Sequence, residues 1–327
     1  MLAHGGAQTQ IEQTKTSLEK MGLHVEYLRW WDDTQAGDIF HHFGRTPISL
    51  LHLAKAKGMK VVMSPFMSGL GARPSWARFL QKTATSIVRT TLPRIISDTF
   101  AWDSYRLSDA CVAMTPWEAY LIVHMFGAQA SRVHVVPNGV EDIFLRSQPH
   151  KRGPWLICTS TIIELKQVLK LAQIAVQAQT PLWIIGKAYS ESDDYAKRFI
   201  TFAKQNSKII RYEGPIYDRQ TLANVYRQAR GFVLLSKWES LSISALEASA
   251  CECPLLLSDL PWARSVFKES ANYCPMDKSI AATAPVLRRF YDAAPGLNCP
   301  PKPLSWEQVG GKLKSIYESI TAGEEKG

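Results

Sequence analysis

Apolar positions along the chain fall into two series of short runs separated by segments of helical period. The first series is VEYLRWW (25–31), DIFHHF (38–43), KVVMS (60–64), ACVAMT (110–115) and RVHVV (132–136). The second is WLICTS (155–160), PLWIIG (181–186), KIIRYEG (208–214), GFVLLS (231–236) and PLLLSD (254–259). Strand-length runs alternating with helix-length segments predict parallel sheets flanked by helices, hence an α/β chain of two doubly wound units in tandem. Thr46-Pro47 and Thr115-Pro116 read as helix caps followed by a first helical residue, and Gly22 and Gly58 stand where helices would end. The polar stretch RSQPHKRGP (146–154) reads as the join. From Ser305 to Ile320, Trp306, Val309, Leu313, Ile316, Tyr317 and Ile320 recur at helical spacing, which predicts a terminal packing helix. The expected divisions are residues 1–148, 149–300 and 301–327.

A unit of this kind opens on an apolar strand before its first glycine turn. Only Met1-Leu2-Ala3 precede His4-Gly5-Gly6, so the first strand of the amino-terminal unit is expected to be missing.

Composition narrows the function classes. The 327 residues are 46% hydrophobic and 20% charged, which excludes a disordered or collagen-like chain. The net charge of +9 favours phosphate-bearing or anionic partners. The six cysteines, Cys111, Cys158, Cys251, Cys253, Cys274 and Cys299, have neither zinc-site nor disulfide-framework spacing, so reduced thiols in a cytoplasmic protein are expected. The amino-terminal residues lack a signal-peptide pattern and no long uncharged apolar run occurs. Asp32-Asp33 and Asp193-Asp194 are adjacent acids that point apart, so no structural or catalytic metal is expected.

The sharpest chemical pattern is SKWESLSISALEASACECPLLLSD (236–259), in which a strand ends at Ser236, Glu239 follows in the turn, and Glu247 lies in a helix starting near Ser242. The turn stands at the carboxyl edge of a sheet, where open α/β folds bind ligands. The amides of Leu241, Ser242 and Ile243 would face a phosphate there. A capping arrangement of Ser244 with Glu247 is the plainer alternative.

In its context this pattern resembles the paired-glutamate signature of the family-4 retaining glycosyltransferases, the glycosyl transferases group 1. Five further landmarks agree in order: Gly5-Gly6-Ala7, VVPNGVEDIF (135–144), IIELKQ (162–167), IIGK (184–187) and YEGPI (212–216). The resemblance spans nearly the whole chain. It implies a GT-B fold, two Rossmann-like domains facing a cleft, with a nucleoside-diphosphate sugar held by the carboxyl-terminal one and a glycan, lipid or small-molecule acceptor presented by the other. By the same resemblance Glu247 would take the ribose hydroxyls, Glu239 the donor sugar, and Lys166 the diphosphate. Gly5, Gly6, Gly186, Gly214 and Ile216 would line the donor through main-chain groups. The implied reaction is metal-independent hexosyl transfer with retention, without a covalent enzyme intermediate and without a cofactor.

Two positions depart from the family pattern. An arginine usually stands five residues before the lysine, and Thr161 is there instead. A hydroxyl lacks the charge and fork of a guanidinium, a loss on the order of a few kcal/mol of leaving-group stabilisation unless Lys187 or Lys237 compensates. After KVVMS, where many members carry a histidine, the chain reads Ser64-Pro65-Phe66, which leaves His41 and His42 as substitutes or as packed residues.

Between Ile39 and Ser97 there is no acid, while Arg45, Lys55, Lys57, Lys60, Arg73, Arg78, Lys82, Arg89 and Arg94 are present. On a helix from about Ser75 to Thr91, Arg78, Lys82 and Arg89 share one face and Trp76, Leu80, Thr83 and Ile87 the other, at about 100° per residue. The apolar face is expected to lie on its own sheet. The alternative is that residues 73–94 dock on an anionic membrane, which would place the protein at the inner membrane face. Trp30, Trp31, Trp76 and Trp102 suit core packing, sugar stacking or an interfacial seat. Two rival functions remain on this reading: a degenerate transferase that binds nucleotide sugar without turnover, and a basic membrane-surface or nucleic-acid binder. Nucleic acid is not the expected partner.

Overall fold

The computed structural model of the chain describes residues 6–29, 31–91, 93, 98–148, 150–190, 192–275 and 278–322. Gly5, Trp30 and Arg94 lie outside them, as does the side chain of Arg89. The described residues form two compact units, Gln10–Asn138 with residues 306–322, and Gly139–Ser305 with residues 6–9.

In chain order the first elements are α1 (Gly6–Lys20), β1 (Ile39–Phe43), α2 (Ile48–Ala56), β2 (Lys60–Ser64), α3 (Ser68–Gly71), α4 (Ser75–Thr91), α5 (Ser104–Leu107), β3 (Ala110–Ala113), α6 (Pro116–Phe126) and β4 (Val133–Val135). Their strands make a parallel sheet of order β1-β2-β3-β4. Next come α7 (Asp142–Leu145), β5 (Leu156–Thr159), α8 (Val168–Ala178), β6 (Leu182–Ile185), α9 (Asp194–Gln205), β7 (Ile210–Tyr212), α10 (Arg219–Gln228), β8 (Gly231–Leu234), α11 (Ile243–Ala250), β9 (Leu255–Ser258), α12 (Pro261–Phe267), β10 (Asn272–Cys274) and α13 (Ile280–Ala293). The second sheet is parallel throughout, in the order β10-β9-β8-β5-β6-β7. Strands β5, β8 and β9 are buried at every position, as parallel strands covered on both faces must be, and this explains their unbroken apolar runs. The last helix, α14 (Trp306–Thr321), completes the amino-terminal unit.

Several expectations are corrected. VEYLRWW is not a strand: its described residues have no ladder, and Arg29 bonds instead to Glu26 and Asp32. A strand persists only where a neighbour takes its backbone groups, and no described strand stands beside this segment. Thr46-Pro47 is not a cap pair, because α2 starts at Ile48 without a side-chain cap bond and the Thr46 hydroxyl is buried without a partner. Thr115 does cap α6, accepting from the Glu118 amide at 3.1 Å. β10 had no counterpart among the expected runs.

The units divide at 138/139 rather than at 148/149. The Val140 amide donates to Leu304 O at 2.9 Å, and Phe144, fully buried, meets the Tyr226 ring at 5.9 Å. Both contacts tie the residues just after 138 to the carboxyl-terminal unit. Nor is the 301–327 segment a piece apart. In α14, Gly310 lies so close to Ser17 of α1 that an added Cβ would sit 2.9 Å from the serine Cβ, and Lys314 donates to Met21 O at 3.2 Å.

α14 also closes over the end of the first sheet, where the Tyr317 hydroxyl meets His41 Nδ1 at 2.6 Å and Ser64 Oγ meets Nε2 at 2.7 Å. The His41 ring stacks on Phe43, centroids 4.4 Å apart. Burial, with His42 adding to it, lowers the His41 pKa to about 3. Between that value and the ordinary one near 6.5 the unfolded chain binds the extra proton, so this histidine costs stability as pH falls below about 6.5 and costs nothing above it. Denaturant unfolding at pH 4.5 is therefore expected to show a loss of about 2 kcal/mol relative to pH 7 that His41→Gln removes. An unchanged pH slope in the variant would count against the assignment.

Candidate functional site

Within the carboxyl-terminal unit the chain turns in opposite directions from β5 and β8, which are hydrogen-bonded neighbours although β6 and β7 intervene in sequence. Helical connections leave to opposite sides there, so a crevice opens outside the carboxyl ends of these two strands. The loops leaving them carry Lys166 and Glu239.

Lys166 ends a single 3₁₀ turn, Glu164–Lys166, and its amide donates to Ile163 O at 3.0 Å. Gln167, next in the chain, is left-handed at φ +50°, a conformation costly for a residue with a Cβ, before α8 begins. The Lys237 amide donates to Leu165 O at 2.8 Å and joins the two loops. Across this junction the Lys166 ammonium donates to Glu239 Oε1, which also accepts from Ser236 Oγ at 2.7 Å. The Ser236 carbonyl in turn accepts from Ser258 Oγ at 2.8 Å. The pair is sheltered, with side-chain exposures of 21% and 12%, so its charges interact more strongly than a surface pair would.

Glu247 is held in a different network. It projects from α11 and is buried, accepting from Tyr226 OH at 3.1 Å and from the Arg219 guanidinium. Tyr226 shares a 2.5 Å hydrogen bond with Thr159 Oγ1 at the end of β5. Arg219 is fixed by Glu141 at 2.9 Å and lies over the Phe144 ring, 4.6 Å from its centroid. Burial raises the Glu247 pKa and Arg219 opposes that rise without cancelling it; the Arg219 pKa is raised, its ion pairs outweighing its own burial. The two acids are thus held in separate networks, one beside Lys166 and one beside Arg219.

The remaining positions lie in the carboxyl-terminal unit as well. Gly186, after β6, has φ +152° and approaches Ser160 so closely that an added Cβ would be 1.9 Å from its carbonyl oxygen. Its carbonyl accepts from Tyr212 OH at 3.2 Å and its amide donates to the carbonyl of Gly214, itself at φ +89°. Ile216 is half-buried in the loop after β7. Leu241 and Ser242 are buried, and Ser242 caps α11 by accepting from the Ala245 amide at 3.3 Å, so the cap is Ser242 rather than Ser244. Gly6, opening α1, comes within 4.0 Å of Ile243 Cδ1, measured from a Cβ built on it. Thr161 is half-buried, and its carbonyl accepts from the Ile163 amide at 3.0 Å. Of the cations suggested to compensate for it, Lys237 pairs with Glu164 at 2.7 Å and Lys187 lies over the Tyr217 ring.

Arg219, Tyr226, Glu141, Ser236 and Thr159 were not singled out from sequence. Nothing in their spacing ties Arg219 to Glu247 or to Glu141; the only local cue is Asp218, which caps α10 by accepting from the Thr221 amide just before Arg219 enters the helix. His41 is committed to Tyr317 and Ser64 and is a packed residue. Among the described residues no group of three or more His, Cys, Asp or Glu stands together as a metal site. Cys111, Cys158, Cys251, Cys253 and Cys274 are buried free thiols whose pKa values burial pushes up.

Sheet order, strand-end loops and paired units define a GT-B protein. Anabaena Alr3699/HepE in complex with UDP and glucose has the same fold at 12% identity, with a TM-score of 0.62 over 98% of this chain and 96% of that one. AviGT4, a glycosyltransferase involved in Avilamycin A biosynthesis, gives a TM-score of 0.61 at 13% identity over 98% and 91%. Residues 160–293 match the family model Glycosyl transferases group 1. A curated relative, the D-inositol 3-phosphate glycosyltransferase of Xylanimonas cellulosilytica, is 27% identical over 65% of this chain, which spans 58% of that relative's length.

Proposed function

We propose that the chain is a retaining glycosyltransferase that moves a hexosyl group from a nucleoside-diphosphate sugar to a glycan, lipid or small-molecule acceptor, without a metal or other cofactor. The observation that carries this reading is the Lys166–Glu239 ion pair at the point where β5 and β8 diverge, inside the group 1 domain. A diphosphate seated there would meet the Lys166 ammonium, which would stabilise the charge left when the bond between sugar C1 and phosphate oxygen breaks. Glu239, released from that ammonium, would orient the sugar. Glu247, held by Arg219 and Tyr226, would accept hydrogen bonds from the ribose. The first-turn amides of α11 would face the phosphates, since helix-start amides have no partners within the helix. UDP and glucose are bound by the Anabaena protein, which makes UDP-glucose a natural first donor.

A thermal-shift screen against UDP-, GDP-, ADP- and dTDP-sugars tests the reading, because a ligand bound only by the folded state raises the melting temperature. At a donor concentration about 100-fold above Kd the stabilisation should be about 2.7 kcal/mol. Glu247→Ala should abolish the shift. No shift with any donor, or a shift indifferent to Glu247→Ala, would overturn the donor site.

A further inference from the structure

Helix α4 is mounted with its more apolar stripe turned outward. At about 100° per residue, Trp76, Leu80, Thr83 and Ile87 occupy one side, and that side is open to solvent: Trp76 is 67% exposed, Leu80 57% and Ile87 53%, with Phe79 next to them at 69%. The inward side is Ala77, Gln81, Thr85 and Val88. This side packs on α6, with the Arg78 guanidinium over the Trp117 ring at 4.9 Å from its centroid and the Thr85 hydroxyl buried on Gln81 O at 2.8 Å. The expectation that the apolar face rests on its own sheet is therefore reversed. Four large apolar side chains on one helix, left facing water, form the kind of patch that marks a binding surface.

The charge around the patch selects its occupant. No acid occurs from Ile39 to Ser97. Arg73, just before the helix, and Lys82, on the side of the helix next to Phe79 and away from Leu80 and Ile87, are exposed, and Arg73 and Arg78 donate to neutral oxygens, those of Gln81 and of Arg73 itself. A second copy of the chain seated on this face would bring the same cations against one another, because an isologous contact pairs a patch with itself. A neutral apolar groove would leave the cations without a counterpart. An anionic lipid surface satisfies both parts, with aromatic and aliphatic side chains entering the acyl boundary and cations meeting lipid phosphates. We propose that α4 is a seat for an anionic bilayer surface, with Trp76, Phe79, Leu80 and Ile87 inserted and Arg73 and Lys82 on headgroup phosphates. This inference stands apart from the donor reading, since vesicle binding needs no nucleotide sugar.

Vesicle flotation of the full chain tests it, with phosphatidylcholine alone against a 3:1 mixture of phosphatidylcholine and phosphatidylglycerol. Partitioning into the anionic vesicles should be at least about tenfold stronger and should weaken as salt is raised. Trp76→Ser with Leu80→Ser, and separately Arg73→Glu with Lys82→Glu, should each reduce it at least about tenfold, with melting temperatures held because the side chains are exposed. As a second measurement, brominated lipid should quench tryptophan emission in the parent chain, and Trp76→Phe should remove most of that quenching. Absence of vesicle binding, or binding equal on neutral lipid, overturns the proposal. So does a lipid-free doubling of mass abolished by Trp76→Ser with Leu80→Ser, which would give the face to a second copy.

Discussion

Lys166→Met is expected to lower kcat for sugar transfer by about 10² to 10³-fold while changing the donor KM far less, because the ammonium is asked to stabilise charge that exists only as the sugar–phosphate bond breaks. That factor corresponds to about 2.7–4 kcal/mol. The position is prepared before the donor arrives: a 3₁₀ turn fixes the Lys166 backbone, Lys237 locks the turn to the neighbouring loop, and Glu239 holds the ammonium in place. With Thr161 at the position where the family pattern has an arginine, little else on this loop can share the load, so the effect should lie at the upper end of the range. A purely structural lysine predicts something different. Removing it would leave the Glu239 carboxylate, 12% exposed, without a cation, at a cost of about 1–2 kcal/mol once solvent screening is allowed for. Glu239→Gln should restore that stability without restoring turnover. Steady-state kinetics on the single and double variants, beside denaturant unfolding of both, separates the roles. Normal turnover in Lys166→Met would end the catalytic assignment.

How much of this was legible in sequence depends on whether neighbours in space are also neighbours in the chain. The five runs of the second series correspond to β5 through β9; β5, β8 and β9 are buried on both faces and need continuous apolar residues, and even the edge strand β7 keeps a short apolar run, so all five are visible without knowing the partners. Glu239 could be singled out because it follows a strand end, and Lys166 through the resemblance of IIELKQ to the family's lysine-bearing stretch. Their salt bridge could not be read, since 73 residues separate them and only the crossover order places β5 beside β8. Arg219 was invisible for the same reason. Its partners Glu141 and Glu247 lie on either side of it in sequence, far from it in number, and are joined only when α7, α10 and α11 pack together. The error at VEYLRWW has the opposite character: the local pattern is strand-like, but a strand is a relation between two segments, and no described strand pairs with this one. On α4 the helix boundaries follow from local signals, whereas which side faces inward depends on α6, and the more polar stripe won.

Gly186→Ala is expected to destabilise the carboxyl-terminal unit by about 3–5 kcal/mol, among the larger effects a single methyl can have. Two costs add. A residue with a Cβ is strained at φ +152°, by about 1–3 kcal/mol. The methyl would also stand 1.9 Å from the Ser160 carbonyl oxygen, so β5 and β6 cannot both keep their strand-end loops in place. Those loops are tied by the Ser160 amide on Ile185 O and the Ile162 amide on Lys187 O, each 3.0 Å. Any relief of the clash therefore shifts the segment leading to Lys166. Gly214→Ala supplies the comparison: φ +89° is also strained, but nothing lies within 4 Å of the added carbon, and only about 1–2 kcal/mol should be lost. At roughly 2–4 °C per kcal/mol for a domain of this size, calorimetry should find about 10 °C between Gly186→Ala and the parent chain, and about 3–5 °C for Gly214→Ala. The donor-induced shift should be lost in the first variant and weakened in the second. Equal melting temperatures for the two would show that the approach of Gly186 to Ser160 does not set the geometry of the β5 loop, and with it would go the reason for glycine at this strand end.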